Sequence, residues 1–362
     1  MSLPTDIPTI TMKQAVPLII AMYKGGIRNF MINGQMGLGK TQIAQQLADA
    51  MAEEFEQDCP CVIFRAGQKS IVDATGVPVA DHETKRTKFY APDMGDIPSE
   101  ERDGPLGVWC LDEYNTLPKP LQAPSLGMIE DRRIGDTEIP KEWLILATGN
   151  RTTDGGYANR LGAPANDRLA MFNIEPDLTS FIEYAYKVEL PNVDLIANFL
   201  KHRPALLACM PGETSVDEKK DWRVSFDKDA RSFPTPRTWF KAAPLLSLKA
   251  DVREVALASL VGNAVAAEYE TWFAVGRDLP QVEEIVADPE GCRLPTEQQT
   301  RAGADYMLCM MLAAGATASN IDAICTYASR LSREIEACVF ADAGRRDPAI
   351  KETGRYVEHV TR

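Results

Sequence analysis

The sequence predicts an α/β domain with a largely parallel sheet, followed by a region of helices. Short apolar runs bounded by turn residues alternate with helical patterns in the first half of the chain, which is typical of inner strands covered by helices on both faces. From residue 178 onward only helical patterns continue. The apolar runs that predict strands are residues 30–32, 61–64, 108–111, 144–147 and 170–174.

This change of pattern divides the 362 residues into three predicted domains. Residues 1–177 form the α/β domain, residues 178–277 an all-helical lid, and residues 278–362 a helical C-terminal extension. A polar segment between Gly67 and Gly107 exceeds the usual length of a connection, so we expect it to be functional or mobile.

The loop after the first predicted strand reads Gly-Gln-Met-Gly-Leu-Gly-Lys-Thr and matches the phosphate-binding pattern G-x-x-x-x-G-K-S/T, known as Walker A. Ile43, Leu47, Met51 and Phe55 follow it with the spacing of one helical stripe. Strand, glycine loop and helix together aim backbone N–H groups and a helix N-terminus at one anion. These flanks favour a nucleotide site over the alternative, a chance match in a glycine turn.

The loop is therefore expected to bind a nucleoside triphosphate together with Mg²⁺. Lys40 supplies a mobile positive charge for the outer phosphates, and Thr41 supplies a hydroxyl for the metal. The residues predicted to contact the nucleotide are Gly34, Gln35, Met36, Gly37, Leu38, Gly39, Lys40, Thr41 and Gln42.

A later apolar run ends in two adjacent carboxylates, Asp112 and Glu113, which we interpret as Walker B. One acid at a strand end can hold the metal while its neighbour deprotonates or orients the attacking water. We assign Asp112 to the metal and Glu113 to catalysis as the base; a solvated strand end is the alternative. A further run ends in Asn150, whose amide is a candidate for positioning that water, although Gly-Asn is also turn chemistry.

Charge and cysteine usage disfavour several classes of function. A formal charge of −13 argues against a large surface that neutralises nucleic-acid phosphates, because such binding requires clustered Lys and Arg. The eight cysteines are scattered and the three histidines lie far from any Cys cluster, so we expect buried thiols and no protein-held zinc. No apolar run reaches membrane length and no signal peptide is evident, which predicts a cytoplasmic protein.

The order of these motifs resembles that of AAA+ ATPases of the MoxR group, and more narrowly the MoxR-like ATPases common in phages and bacteria. After Walker A, Walker B and the Ala-Thr-Gly-Asn sequence at 147–150, the chain continues with Asn-Asp-Arg at 166–168 and Pro-Thr-Pro-Arg at 234–237. Residues 73–78 and 130–140 resemble the segments that lead into two inserted hairpins. The likeness spans about residues 17–273.

The resemblance implies ATP as the nucleotide and a role for each of several polar residues. Asn150 would be the sensor 1 residue. Arg237, at the start of a lid helix, would be the sensor 2 residue that reaches the γ-phosphate in its own subunit. Arg168 would be the arginine finger that enters the site of the next subunit, with Arg151 and Arg160 as nearby alternatives. A surface salt bridge is the ordinary alternative for each arginine.

The resemblance also implies a homo-oligomeric ring, which is a hexamer in typical relatives. A finger supplied by a neighbour makes the catalytic unit an interface between subunits, and head-to-tail interfaces that close form a ring. The chain departs from the family after Walker B, where Asn115-Thr116 replaces the usual Asn-Arg pair. The sequence therefore leaves open the intersubunit contact that this arginine makes in other members of the family.

Three hypotheses remain for what nucleotide turnover drives. The resemblance favours a motor or chaperone that remodels a protein partner or complex, such as one with a von Willebrand A domain. Residues 81–90, in an insert expected to face the pore, place three cations before Phe89 and Tyr90, which suits an acidic peptide or a nucleic-acid backbone. The alternative there is a solvated hairpin tip with its aromatics packed underneath. Arg132 and Arg133 are a weaker candidate of the same kind.

The second hypothesis is accordingly a nucleic-acid-stimulated ATPase, either a motor or a replication accessory. The third is a nucleotide-gated scaffold that binds ATP without useful turnover. The complete set of hydrolytic motifs argues against the scaffold.

Overall fold

The structure is a computed structural model that describes residues 7–90, 95–151, 159, 161–217, 222–226, 229–354 and 356–357. The chain forms two compact units, Met1–Ser180 and Phe181–Arg362. The first unit is α/β with a parallel sheet and the second is mainly helical, which confirms the predicted fold class. The predicted lid and C-terminal extension both lie in the second unit, so the boundary between them stays a prediction.

The first unit is built on a six-stranded parallel sheet with the order β1-β10-β2-β9-β6-β3. Its strands, including those of two separate hairpins, are β1 Thr9–Thr11, β2 Asn29–Gly34, β3 Cys61–Arg65, β4 Val77–Asp81, β5 Arg86–Tyr90, β6 Val108–Asp112, β7 Arg133–Ile134, β8 Thr137–Glu138, β9 Leu144–Asn150 and β10 Ala170–Glu175. All five predicted strands are confirmed. The sequence does not reveal β1, because a three-residue strand with two threonines has no apolar run.

The register of this sheet brings the carboxyl ends of three strands to one edge. β2 pairs with β9 as far as Gly34 and Asn150, which are direct partners. β6 lies between β3 and β9 and ends at Asp112, whose partner on β3 is Arg65. Because parallel strands end at the same edge, the loop after β2, the carboxylates after β6 and the amide after β9 converge there.

Helices cover both faces of the sheet. The helices of this unit are α1 Met12–Lys24, α2 Lys40–Phe55, α3 Ile71–Thr75, α4 Glu100–Asp103, α5 Lys119–Glu130 and α6 Ala163–Arg168. One buried cluster packs α1 and α2 on alternate residues of the inner strands, Ile32 and Cys110 among them. The residues between these, such as Met31 and Trp109, belong to a second cluster with α5 on the opposite face.

Both hairpins expected from the resemblance form as antiparallel pairs. In the first, β4 pairs with β5 so that Val77 is opposite Tyr90. In the second, β7 pairs with β8. The base of the first hairpin lies against the turn of the second, where a Cβ added to Gly76 would lie 3.0 Å from the Cα of Gly135.

The first hairpin exposes the side chains of both strands. Phe89 and Tyr90 are 48% and 43% exposed, so the alternative in which these aromatics pack underneath is wrong within this unit. Lys88 forms an ion pair with Asp81 at 2.8 Å. The hydrogen bond from Lys88, with further bonds from the turn, lowers the pKa of Asp81 to about 2.

The side chain of Arg132 is bonded within the first unit and is not available to contact a protein partner or a nucleic acid. Its guanidinium donates to Oδ1 of Asn29 at 3.3 Å and to the carbonyl oxygen of Pro140 at 3.1 Å. Burial lowers the pKa of this arginine to about 10. The residue therefore braces the second hairpin from inside the unit.

The second unit is mainly helical, with one correction to the prediction. Its helices are α7 Leu178–Lys187, which begins in the first unit, α8 Val193–His202, α9 Pro236–Ala242, α10 Ala250–Val261, α11 Asn263–Val275, α12 Val282–Ala287, α13 Glu297–Arg301, α14 Ala304–Gly315, α15 Ile321–Ala328 and α16 Arg333–Arg346. The prediction of helices alone is wrong at β11 Thr214–Asp217 and β12 Trp222–Ser225, which pair antiparallel. β-branched and aromatic residues favour such a strand pair.

Gly262 separates α10 from α11. This glycine has φ 94°, and an added Cβ would lie 2.8 Å from the carbonyl oxygen of Ser232. Cys110, Cys309 and Cys325 are buried free thiols, as expected. Among the helices that the structure describes, none has both the length and the apolar character to span a membrane.

Candidate nucleotide site

The glycine-rich loop turns directly from β2 into α2. Gly37 and Gly39 have φ values of 73° and 96°, in the left-handed region that glycine adopts without steric cost. α2 begins at Lys40, and Ile43 and Leu47 are fully buried, as the helical stripe predicts. The loop thus ends at the N-terminus of a 16-residue helix, where unpaired N–H groups and the helix dipole favour an anion.

Lys40 connects the loop to the neighbouring strand. Its Nζ donates to the carbonyl oxygens of Gly34 and Gln35 at 2.9 and 2.8 Å. It also donates to Oδ1 of Asn150 at 2.9 Å. The predicted phosphate-binding lysine and the predicted sensor amide are therefore in direct contact.

Asp112 receives hydrogen bonds from two threonine hydroxyls. Thr41 Oγ1 donates to Asp112 Oδ1 at 2.9 Å, and Thr148 Oγ1 donates to the same atom at 2.6 Å. Thr148 is 1% exposed, and its oxygen accepts the backbone N–H of Glu113 at 3.1 Å. One buried hydroxyl thus holds the Asp112 carboxylate and the Glu113 backbone together.

Glu113 is exposed and turns away from the strand in the left-handed region, with φ 56°. A Cβ added to Gly67 would lie 3.3 Å from Glu113 Oε2 and 2.7 Å from Thr116 Oγ1. Thr116 donates its hydroxyl to the carbonyl oxygen of Glu113 at 2.8 Å. A side chain at Gly67 would therefore crowd the Thr116 hydroxyl first and the Glu113 carboxylate less.

The donor set fits a magnesium nucleotide. Mg²⁺ prefers oxygen ligands and takes part of its shell from phosphates and water. Thr41 Oγ1 and Asp112 Oδ1, 2.9 Å apart, offer one hydroxyl and one carboxylate oxygen beside the phosphate loop. Lys40 and the N-terminus of α2 would hold the phosphates.

Arg168 lies at the end of α6 and forms an ion pair with Glu130 at 2.6 Å. Its Nη1 also donates to the carbonyl oxygen of Pro164 at 2.8 Å. Within its own unit the predicted finger is therefore held in a surface salt bridge, and its catalytic role stays a prediction.

The other arginines are placed as follows. Arg151 donates to the carbonyl oxygen of Ile174 at 3.0 Å. Arg160 lies outside the described residues. Arg237 is exposed near the start of α9 in the second unit, and its sensor role stays a prediction.

Three residues of this site have no functional role predicted from the sequence: Gly67, Asn115 and Thr148. Each is recognised only through its contacts with Glu113, Asn150 or Asp112. Thr148 directly follows the apolar run 144–147, and nothing in the sequence shows that it contacts Asp112.

No protein-family model and no curated protein matches the sequence. Among solved structures, a "putative ATPase" from Cytophaga hutchinsonii is 16% identical with a TM-score of 0.34, covering 55% of this chain and 64% of that one. PCH-2 from C. elegans is 16% identical with a TM-score of 0.31, covering 75% and 63%. A RuvB mutant from Thermotoga maritima is 14% identical with a TM-score of 0.32, covering 83% and 67%.

The chain thus spans less than two thirds of the first two of these proteins, 64% and 63% of their lengths. Likeness at these TM-scores assigns neither a family nor an activity. Only the contacts of the site itself indicate what the described residues can do chemically.

Replacing Thr148 with valine should destabilise the first unit, because the Glu113 N–H loses its acceptor and Asp112 loses a donor. A buried polar group left unpaired costs about 1–3 kcal/mol, and we expect a loss of that size in the free energy of unfolding measured by urea denaturation. Thr148→Ser keeps the hydroxyl and should lose only about 0.8 kcal/mol for the missing methyl. A valine variant as stable as the serine variant would contradict the role of the hydroxyl.

Proposed function

We propose that this protein is an AAA+ ATPase of the MoxR-like type, which hydrolyses ATP at the subunit interfaces of a ring and thereby remodels a protein partner. The observation that carries the proposal is the hydrogen-bonded convergence of Lys40, Thr41, Asp112, Glu113 and Asn150 at one edge of a parallel sheet. The sequence resemblance supports the narrower assignment. The proposed cofactors are ATP and Mg²⁺.

The proposed role of each residue follows from its position. ATP supplies the bond to be cleaved, and Mg²⁺ neutralises charge on its phosphates. Lys40 binds the outer phosphates, while Thr41 and Asp112 hold the metal. Glu113 is exposed beside the anchored Asp112, so it is free to accept a proton from the attacking water, which Asn150 orients.

Phosphate release from ATP, with and without Mg²⁺, tests the activity. Lys40→Ala should lose nucleotide binding and turnover, because it removes the cation of the loop. Glu113→Gln should bind ATP normally and lose turnover by about 100-fold or more, since it removes the base. Glu53→Gln, a change of the same kind on the exposed face of α2, should leave turnover unchanged. Wild-type protein that binds ATP but releases no phosphate would favour the scaffold hypothesis.

Arg168 is the proposed finger because the Asn-Asp-Arg sequence at 166–168 resembles that of the MoxR-like ATPases, and its present ion pair is partly exposed. The side chains of Arg168 and Glu130 are 28% and 55% exposed. Exposed pairs contribute roughly 0–1 kcal/mol, so Arg168 can exchange Glu130 for a phosphate of the next subunit at small cost. Arg151 is the weaker candidate, since it donates to Ile174 and its Nε is buried.

Arg168→Ala should bind ATP with unchanged affinity and lose turnover by about 1,000-fold, because a finger acts only on transition-state charge. Mixing it with Glu113→Gln subunits should restore part of the activity, since mixed interfaces combine an intact base with an intact finger. Arg301→Ala, which breaks another surface ion pair, is the matched control. If subunits exchange and no activity returns, Arg168 does not act on a neighbouring site.

The exposed first hairpin is the proposed contact with the client. Four large apolar side chains there lack cover within their unit and favour a protein over a phosphate backbone: Val77, Val79, Phe89 and Tyr90. The cations beside them select an acidic segment. The same combination of aromatics and cations also suits single-stranded nucleic acid, which keeps a nucleic-acid-stimulated ATPase as the second candidate.

Replacing Phe89 and Tyr90 together by alanine should abolish stimulation of the ATPase by a client, while unstimulated turnover stays at the wild-type level. Val255→Ala, which removes a 70% exposed apolar side chain from α10, is the matched control. Stimulation by acidic peptides supports the first candidate. Stimulation by single-stranded DNA or RNA that falls steeply with salt would favour the second instead.

A further inference from the structure

Asn115 is a buried side chain to which the proposed mechanism assigns no role. It is 4% exposed and lies in the 3₁₀ turn Tyr114–Thr116, directly after Glu113. A buried amide requires hydrogen-bond partners, because a polar group left unpaired costs about 1–3 kcal/mol. Its partners therefore show what it holds.

Both partners of this amide belong to the backbone of Asn150. Asn115 Nδ2 donates to the carbonyl oxygen of Asn150 at 2.7 Å, and the N–H of Asn150 donates to Asn115 Oδ1 at 3.1 Å. A hydrogen-bonded residue pair of an antiparallel ladder makes the same reciprocal pair of bonds. The side chain of Asn115 thus acts as a strand partner for the end of β9.

The register of the sheet shows why β9 requires this partner. β6 pairs with β9 only as far as Leu111 and Ala147. On the other side, β2 continues to pair with β9 through Asn150. Asn115 takes the place of β6 at the last residue of β9, where Asn150 carries the amide that contacts Lys40.

The close approach of Asn115 to β9 depends on Gly149. A Cβ added to Gly149 would lie 2.8 Å from Asn115 Cγ and 2.7 Å from Met31 Cε. Alanine at this position would therefore push the amide away from Asn150 without changing Asn115 itself.

Asn115 also holds a third segment. Its carbonyl oxygen accepts the N–H of Asn159 at 2.8 Å. Asn159 lies in the connection that leads to α6, at whose end Arg168 is found. The turn after Glu113 is thus bonded to both the sensor strand and the segment before the predicted finger.

We propose that Asn115 is a positioning residue that locks the end of β9 to the Glu113 turn, so that Asn150 and Glu113 keep a fixed separation while ATP is hydrolysed. This inference rests on the proposed ATPase activity. Among the bonds described, Asn115 makes none to Thr41 or Asp112 and is linked to Lys40 through Asn150, so we expect loss of its amide to change nucleotide binding far less than turnover. The variant without this amide loses the placement of the attacking water between Asn150 and Glu113.

A double-mutant cycle on Asn115 and Asn150 tests this role. Asn115→Ala should lower kcat by about 10- to 100-fold while KM for ATP stays within about threefold, as expected for an interaction that matters only for the chemical step. Because Asn115 acts through Asn150, the double alanine variant should be within about twofold of Asn150→Ala alone. Additive effects, or a KM that rises as kcat falls, would overturn the proposal.

Gly149→Ala provides an independent route to the same displacement and should reproduce the loss of kcat in folded protein. A folded Gly149→Ala variant with wild-type kcat would overturn the proposal as well. Asn198→Ala is the matched control, because it removes a buried amide that donates to the carbonyl oxygen of Asp194 at 2.9 Å in the second unit. It should lower the melting temperature without lowering kcat.

Wild-type protein and Glu113→Gln are measured in parallel, so that the proposed ATPase function and the positioning role of Asn115 are tested separately. A wild-type protein without turnover removes the proposed function and, with it, the role of Asn115. A wild-type protein that hydrolyses ATP, together with an additive cycle, removes only the positioning role.

Discussion

The parallel pairing of β2, β9 and β6 is the constraint from which the candidate site follows. Strands that run in the same direction end at one edge, so the loop after β2 meets the carboxylates of β6 and the amide of β9. Lys40 and Asn150 are 110 residues apart in the chain and 2.9 Å apart in space. The site is therefore a property of the sheet as a whole and of no single segment.

Buried polar groups then set the geometry at that edge. Thr148 and Asn115 are 1% and 4% exposed; the Thr148 hydroxyl bonds to Asp112 and to the N–H of Glu113, and the Asn115 amide bonds to the backbone of Asn150. A typical hydrogen bond contributes only about 0.5–1.5 kcal/mol, but an orphaned buried partner costs more. Such groups thus specify one arrangement of the strand ends more strongly than they stabilise the fold, and this suits a site that has to place a water molecule.

The contacts of the exposed residues contribute less to stability than those of the buried polar groups. Arg168 and Glu130 are paired in partly exposed positions, and the first hairpin leaves aromatics and cations at the surface. Contacts of this kind are easily exchanged for those of another molecule, because little stabilisation is lost when they break. In the proposed ring, the buried contacts at the sheet edge stay fixed, whereas these exposed residues can change partners.

The sequence by itself determined five of the six strands of the sheet, the phosphate loop with its helix, and the candidate roles of Lys40, Thr41, Asp112 and Glu113. These depend on periodicity and residue chemistry within contiguous segments. They can therefore be predicted before the fold is known. Tertiary structure alone decided that Gly67, Asn115 and Thr148 belong to the site and that Arg132 is internal. It also decided that Gly262 ends a helix. Those outcomes depend on which distant backbone atoms come close once the strands are in register, and no local pattern contains that information.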